Sequence, residues 1–173
     1  MATIEVWMRS AEDNATRITE MMIGEKTLAS YLSNILIIAV LAGIAEELFF
    51  RGCMQQFINK VISNKNAAIW LTAFIFSAIH FQFYGFVPRL VLGAILGYLF
   101  VWSGSLRVPI IAHIIHNGLN VIVMQYYYGT PQYEAIENYS MKDNWWFAII
   151  SLVLSALVIY IISKRKVVNL NMK

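Results

Sequence analysis

Ala45-Glu46-Glu47-Leu48-Phe49-Phe50-Arg51-Gly52 places two adjacent carboxylates and a guanidinium inside an apolar run that opens near Tyr31. Charge in such a setting is costly and usually marks a place where a substrate, ion or proton is handled. Glu47 and Arg51 are four residues apart, so on a helix each can neutralise the other. The side chain of Glu46 points about 100° away from that of Glu47, which leaves one carboxylate without a structural use. The other polar residues within apolar segments are His80, His113, His116, Asn117 and Asn120. A glutamate beside a histidine can deprotonate a water and later return the proton to a leaving amine. A second histidine and an asparagine amide one turn on can donate to a developing oxyanion. Amide hydrolysis needs these parts. A serine or cysteine nucleophile is disfavoured, because there is no Gly-x-Ser-x-Gly elbow and Cys53 has no neighbouring base.

The elements that must position these groups are read from periodicity and composition. Of 173 residues 59% are hydrophobic and only 13% charged, against roughly 25% charged in a soluble domain. With a mean hydropathy of +0.61, the chain reads as an integral membrane protein of one domain. The net charge of +3 forms no basic stripe of the kind nucleic acid requires. Cys53 is the single cysteine, which excludes an internal disulfide.

Ile4, Met8, Ala11, Ala15, Ile18 and Met22 follow steps of four and three, with charged residues between them. That pattern is an amphipathic helix lying on the membrane surface or against the bundle. One long helix is expected from Tyr31 to about Ile62, ended by Ser63-Asn64-Lys65-Asn66. Glu46 then lies 16 residues from its end, roughly 24 Å deep. A second span is expected from Asn66 to Phe83, with His80 roughly 21 Å from the same face. A third runs from Pro88 to Trp102, and a fourth from near Pro109 to Tyr128 carries the stripe His113, His116, Asn117 and Asn120. The fold class expected is all-α: a polytopic transmembrane bundle of about five membrane helices with an N-terminal amphipathic helix. Its divisions are the amphipathic helix 1–27, the core 28–128, a polar loop 129–144, and an anchor helix with basic tail 145–173. Lys60, Lys65, Arg107, Lys164, Arg165, Lys166 and Lys173 fall on one side of the membrane. The positive-inside bias therefore favours a cytoplasmic C-terminus, and the composition suits a bacterial inner membrane.

Three motifs carry a family resemblance. Glu46-Glu47-Leu48-Phe49-Phe50-Arg51, Phe76-Ser77-Ala78-Ile79-His80 and His113-Ile114-Ile115-His116-Asn117 resemble the Glu-Glu-x-x-x-Arg, Phe-x-x-x-His and His-x-x-x-Asn motifs. These belong to the CAAX protease and bacteriocin-processing (CPBP, or Abi) family of intramembrane proteases, which includes the type II CAAX prenyl endopeptidases. The resemblance covers about Tyr31 to Met124. It implies that Glu46 is the water-activating base, His80 its partner, and His113 with Asn117 the oxyanion site. Glu47 and Arg51 then support the site, in agreement with their i, i+4 spacing. His116 and Asn120 stand outside the motifs, as secondary candidates or as helix–helix hydrogen-bonding groups.

Neither a metal nor a cofactor is assigned. The partners expected are a peptide or membrane-protein substrate and the lipid bilayer, with no nucleic acid. Members of the family usually carry further transmembrane helices ahead of the Glu-Glu motif. A homo-oligomer, or helices from a longer chain, would then close the site. Two other functions fit the same residues: a metal-dependent membrane protease, and a non-catalytic immunity or scaffold protein that binds peptide. The first is disfavoured by the lack of a His-Glu-x-x-His pair and by Arg51 beside Glu47.

Overall fold

The computed structural model describes residues 2–83 and 85–131. Among the described residues the fold is all-helical, with five helices: α1 Ala2–Ile23, α2 Leu28–Ile62, α3 Lys65–Ala78, α4 Phe86–Ser103 and α5 Arg107–Tyr127. Local chemistry sets their ends. Thr27 caps α2 by accepting from the Ser30 N–H at 3.1 Å, and Asn64 caps α3 by accepting from the Ala67 N–H at 3.1 Å. Ser63 and Gly104 take left-handed conformations that stop α2 and α4. Helices α2, α4 and α5 are long and apolar enough to cross a membrane. The expected polar loop lies mostly outside the described residues, and the expected anchor helix 145–162 entirely so.

Helix α2 is continuous over 35 residues, as its apolar run implies, but it is not uniformly α-helical. Two stretches, Ile35–Leu41 and Leu48–Met54, widen to π-helical turns. Between them lies the α-helical segment Ala42–Glu47, which carries both glutamates. Nothing in the hydrophobic pattern announces these turns. Each shifts the facing of the residues beyond it and loosens the hydrogen bonding of the backbone carbonyls.

A second departure concerns α3. The span expected to reach Phe83 ends at Ala78, and His80 lies in the turn that follows. The turn is fastened from several sides. The Ser77 hydroxyl donates to the Phe86 carbonyl at 2.7 Å, His80 bonds back to the Phe76 carbonyl, and Phe81 takes a left-handed φ of 53°. At 14 residues α3 is roughly 21 Å long.

Close packing around small residues holds the bundle. Helix α4 packs most extensively on α3, around a core of Ile69, Ala73 and Ala94. Gly93 has Ala73 and Phe76 so near that a Cβ there would stand 3.1–3.2 Å from them, and Gly97 lies tighter still, with Ile69 and Gln55 atoms at 2.9 Å from an added Cβ. On the other side α5 runs along the first widened turn of α2 and the glutamate segment. There Gly43 admits the Ile114 backbone, whose nitrogen would be 3.4 Å from an added Cβ. Leu36, Leu48, Phe49, Phe57, Ile111 and Ile115 face outwards and are more than half exposed or nearly so. An apolar exterior over a bundle joined through small residues is the arrangement lipid selects.

Helix α1 lies against the bundle through Met8, Ala11, Ala15 and Met22, while Ile4 and Ile18 of the same expected stripe stay exposed. Its C-terminal end is pinned by a buried polar network. Asn34 donates to the Met22 carbonyl at 2.7 Å, and Gln125 donates to the Glu25 carbonyl and the Ser30 hydroxyl, each at 3.0 Å. At its other end Trp7 packs edge-on against Phe81 and Phe83 of the α3–α4 turn.

The packing predicts a contrast between two glycines. Gly93→Leu must displace Ala73 backbone and the Phe76 ring, so it should cost about 1–3 kcal/mol or more and lower the thermal midpoint of the detergent-solubilised protein. Gly118→Ala adds a methyl that meets only Ala39 Cβ at an ordinary 3.7 Å, so its midpoint should stay at or above that of the parent. Differential scanning fluorimetry on the two variants checks this.

Candidate active site

Glu47 is fully buried, and one of its oxygens does two things. Oε1 accepts from Arg51 Nη1 at 2.6 Å and from His113 Nδ1 at 2.8 Å. Arg51, also fully buried, donates from Nη2 to the Gly93 carbonyl at 2.7 Å and lies 5.2 Å from the centroid of the Phe76 ring. One turn on, Gln55 Nε2 donates to the Gly97 carbonyl at 3.3 Å. Residues 51 and 55 of α2 therefore read the carbonyls of residues 93 and 97 of α4, which only glycine lets approach so closely. This is a buried charge pair bonded through Glu47 Oε1 and both terminal nitrogens of Arg51, while Glu47 Oε2 and Arg51 Nε are buried without a hydrogen-bond partner among the described residues; such a pair is tolerated only because its charges match.

Because the Glu47 carboxylate accepts at Nδ1, His113 holds a proton there and turns Nε2 the other way. Nε2 stands 3.8 Å from Glu46 Oε2. That gap is longer than a hydrogen bond. Glu46 keeps 28% of its side-chain surface exposed, whereas Glu47 and Arg51 keep none. The adjacent glutamates thus occupy opposite environments, as their angular offset on the helix implies.

Glu46, His80, His113 and Asn117 line one cavity of about 500 Å³. Its wall also includes Phe76, Thr19 and Ile23 of α1, and Arg89 of α4. His80 donates from Nδ1 to the Phe76 carbonyl at 2.7 Å, a bond that leaves Nε2 as the free ring nitrogen. Asn117 Nδ2 donates to the Ile38 carbonyl at 3.2 Å, within the first widened turn of α2. Phe76 packs edge-on with His80 and His113, their ring centroids 5.1 and 5.9 Å away. It is the apolar wall common to both imidazoles and to Arg51.

His116 and Asn120 line the same cavity, bonded to each other at 3.1 Å along one helix. Residues beyond the sequence expectations are the Glu47–His113 bond, the Phe76 hub, Gly93 and Gly97 as acceptors, and Arg89 in the wall. The Gly93-x-x-x-Gly97 spacing was a readable signal of close helix approach. The pairing of Glu47 with His113 had none, since the two are 66 residues apart.

Comparisons with known proteins bear on the family of this chain. A family model described as "Type II CAAX prenyl endopeptidase Rce1-like" matches residues 28–119. The chain is 31% identical over 88 residues to the uncharacterized protein YpbD of Bacillus subtilis (strain 168), covering 49% of this chain and 42% of that one. The chain thus spans less than half the length of that relative. No solved structure matches it significantly. The family match takes in all three motifs that meet at the cavity and more than half of the chain, which therefore belongs to the Rce1-like type II CAAX prenyl endopeptidase family.

Proposed function

We propose that the chain is an intramembrane endopeptidase in which Glu46 activates the water that attacks a peptide bond. The observation that carries this reading is the division between the two glutamates. Glu47 is buried, bound to Arg51 and His113, and unavailable to substrate. Glu46 faces a cavity that also holds His80, His113 and Asn117.

The steps follow from the groups in place. Glu46, with His80 beside it in the wall, takes a proton from a water, and the water oxygen bonds to the carbonyl carbon. The carbonyl π pair moves to oxygen, giving a tetrahedral oxyanion. The second N–H of Asn117 and a proton on His113 Nε2 are the donors available to that oxyanion. With Nδ1 already donating to Glu47, a proton at Nε2 makes His113 an imidazolium between two carboxylates. When the carbon–nitrogen bond breaks, Glu46 returns the proton to the amine, and a carboxylic acid and an amine leave. Arg51 and Glu47 touch no reacting atom; they position His113.

The family supplies the substrate class to test first, a CAAX-type peptide, with bacteriocin or peptide processing as the wider setting. The lysine and arginine bias favours a cytoplasmic C-terminus, in keeping with a bacterial inner membrane. Occupation of Glu47 Oε1 by Arg51 and His113 disfavours a metal-dependent variant built on the same glutamates.

Two outcomes are expected with purified protein and a quenched, farnesylated CAAX-type peptide. Glu46→Gln should keep the thermal midpoint and lower the hydrolysis rate by at least about 10²-fold. Glu47→Gln should lower both, because Arg51 becomes a buried unpaired charge at a cost of about 3–5 kcal/mol. Equal losses of folded protein in the two variants would refute the division of labour. Prolonged exposure to a membrane-permeant chelator should leave the rate unchanged. Loss of activity restored by stoichiometric Zn²⁺ would reassign the same residues as ligands.

A further inference from the structure

The catalytic proposal makes no use of Arg89, yet Arg89 is the only lysine or arginine among the described residues lining the cavity. Its guanidinium is held in a prepared place. Nη2 donates to Gln82 Oε1 and Nη1 to the Gln82 carbonyl at 3.4 Å, so one residue of the α3–α4 turn grips it twice. Gly85 leaves the space it occupies, since a Cβ there would stand 3.0 Å from Nη2 and 3.6 Å from Nη1. His80 belongs to the same turn, so the residue that grips the guanidinium and one candidate catalytic imidazole share a single short segment.

A cation so placed needs an anion, and the described residues provide none in contact. Among the described residues no carboxylate lies within 4 Å of the Arg89 guanidinium, whereas Arg9 and Arg51 both have one. Glu46 and Glu12 act on it only at longer range. Glu12, reaching in from α1, has its Oε2 buried without a hydrogen-bond partner. The bonds to Gln82 use two of the five N–H donors of the guanidinium. What remains is suited to an anion entering the cavity, and a carboxylate matches the fork geometry.

We propose that Arg89 is a specificity-determining residue that binds the C-terminal carboxylate of a peptide whose end enters the cavity. This rests on the protease reading for its substrate class. A free carboxylate brought into an apolar cavity beside Glu46 is strongly disfavoured unless a cation meets it. Arg89 meets that need and fixes the direction in which the peptide lies. A lipid phosphate is a different ligand for the same guanidinium, and the carboxylate is favoured because Arg89 shares its cavity with the hydrolytic groups.

The experiment uses the full chain in detergent carrying Glu46→Gln, which retains peptide without cutting it. The probes are a fluorescent farnesylated CAAX-type peptide with a free C-terminal carboxylate and its C-terminal amide twin, read by fluorescence anisotropy. The acid should bind at least tenfold more tightly than the amide. Adding Arg89→Gln should bring the acid down to the amide, and Arg89→Lys should restore part of the preference. Equal binding of the twins, no measurable binding of the acid, or an Arg89→Gln variant that weakens both alike would overturn the proposal. Competition against the acid by phosphatidic acid micelles with no acid–amide difference would reassign Arg89 to lipid. Hydrolysis by the chain with Glu46 intact is scored separately. A persistent acid preference without hydrolysis would remove the protease reading and leave the carboxylate site standing.

Discussion

The buried pair of Glu47 and Arg51 is the constraint on which the rest of the structure depends. Both side chains are removed from solvent within the bundle. An unmatched charge there would cost several kcal/mol, so every neighbour is arranged to keep the pair matched. Arg51 extends to the Gly93 carbonyl and lies against the Phe76 ring, which ties α2 to α4 and α3. Glu47 extends to His113, which ties α2 to α5. Four helices are thereby joined by one charge pair and its partners. The imidazole that faces Glu46 is oriented as a consequence.

This arrangement depends on close approach, and the backbone makes it possible in two ways. Glycines at 43, 93 and 97 bring α5 and α4 near enough to α2 and α3 for side chains to reach backbone carbonyls. The widened turns on either side of Ala42–Glu47 reset the direction of the segment they flank. One of them also presents the Ile38 carbonyl to Asn117. Irregular backbone at such a place is tolerated because protein groups, rather than lipid, meet its hydrogen-bonding needs.

Much of this was legible in the sequence, for identifiable reasons. The Glu47–Arg51 pairing follows from i, i+4 spacing, and the contrast between Glu46 and Glu47 follows from the angle between adjacent helix positions. The shared cavity of Glu46 and His80 was approached through counted depths, although His80 arrives on a turn rather than a helix. A hydropathic run cannot show where a helix stops when the following turn is itself aromatic and apolar, as His80-Phe81-Gln82-Phe83 is. The π-helical turns were hidden because they leave the apolar composition of α2 unchanged. The Glu47–His113 bond and the place of Arg89 are products of tertiary packing between distant segments, which local periodicity does not encode.

If the charge pair exists to hold His113 in place, stability and chemistry can be separated by removing both charges together. Glu47→Leu combined with Arg51→Met removes both charges of the pair and keeps the volume roughly constant, so the thermal midpoint should return towards that of the parent. His113 would still lack its acceptor, and hydrolysis of the CAAX-type peptide should remain lost. The decisive measurement is the thermal midpoint and the hydrolysis rate of this double variant, taken on the same preparation beside each single variant. Recovered folding without recovered hydrolysis is the result this account predicts. Hydrolysis that returns with folding would show that the pair only stabilises the bundle, and would contradict its role in positioning the site.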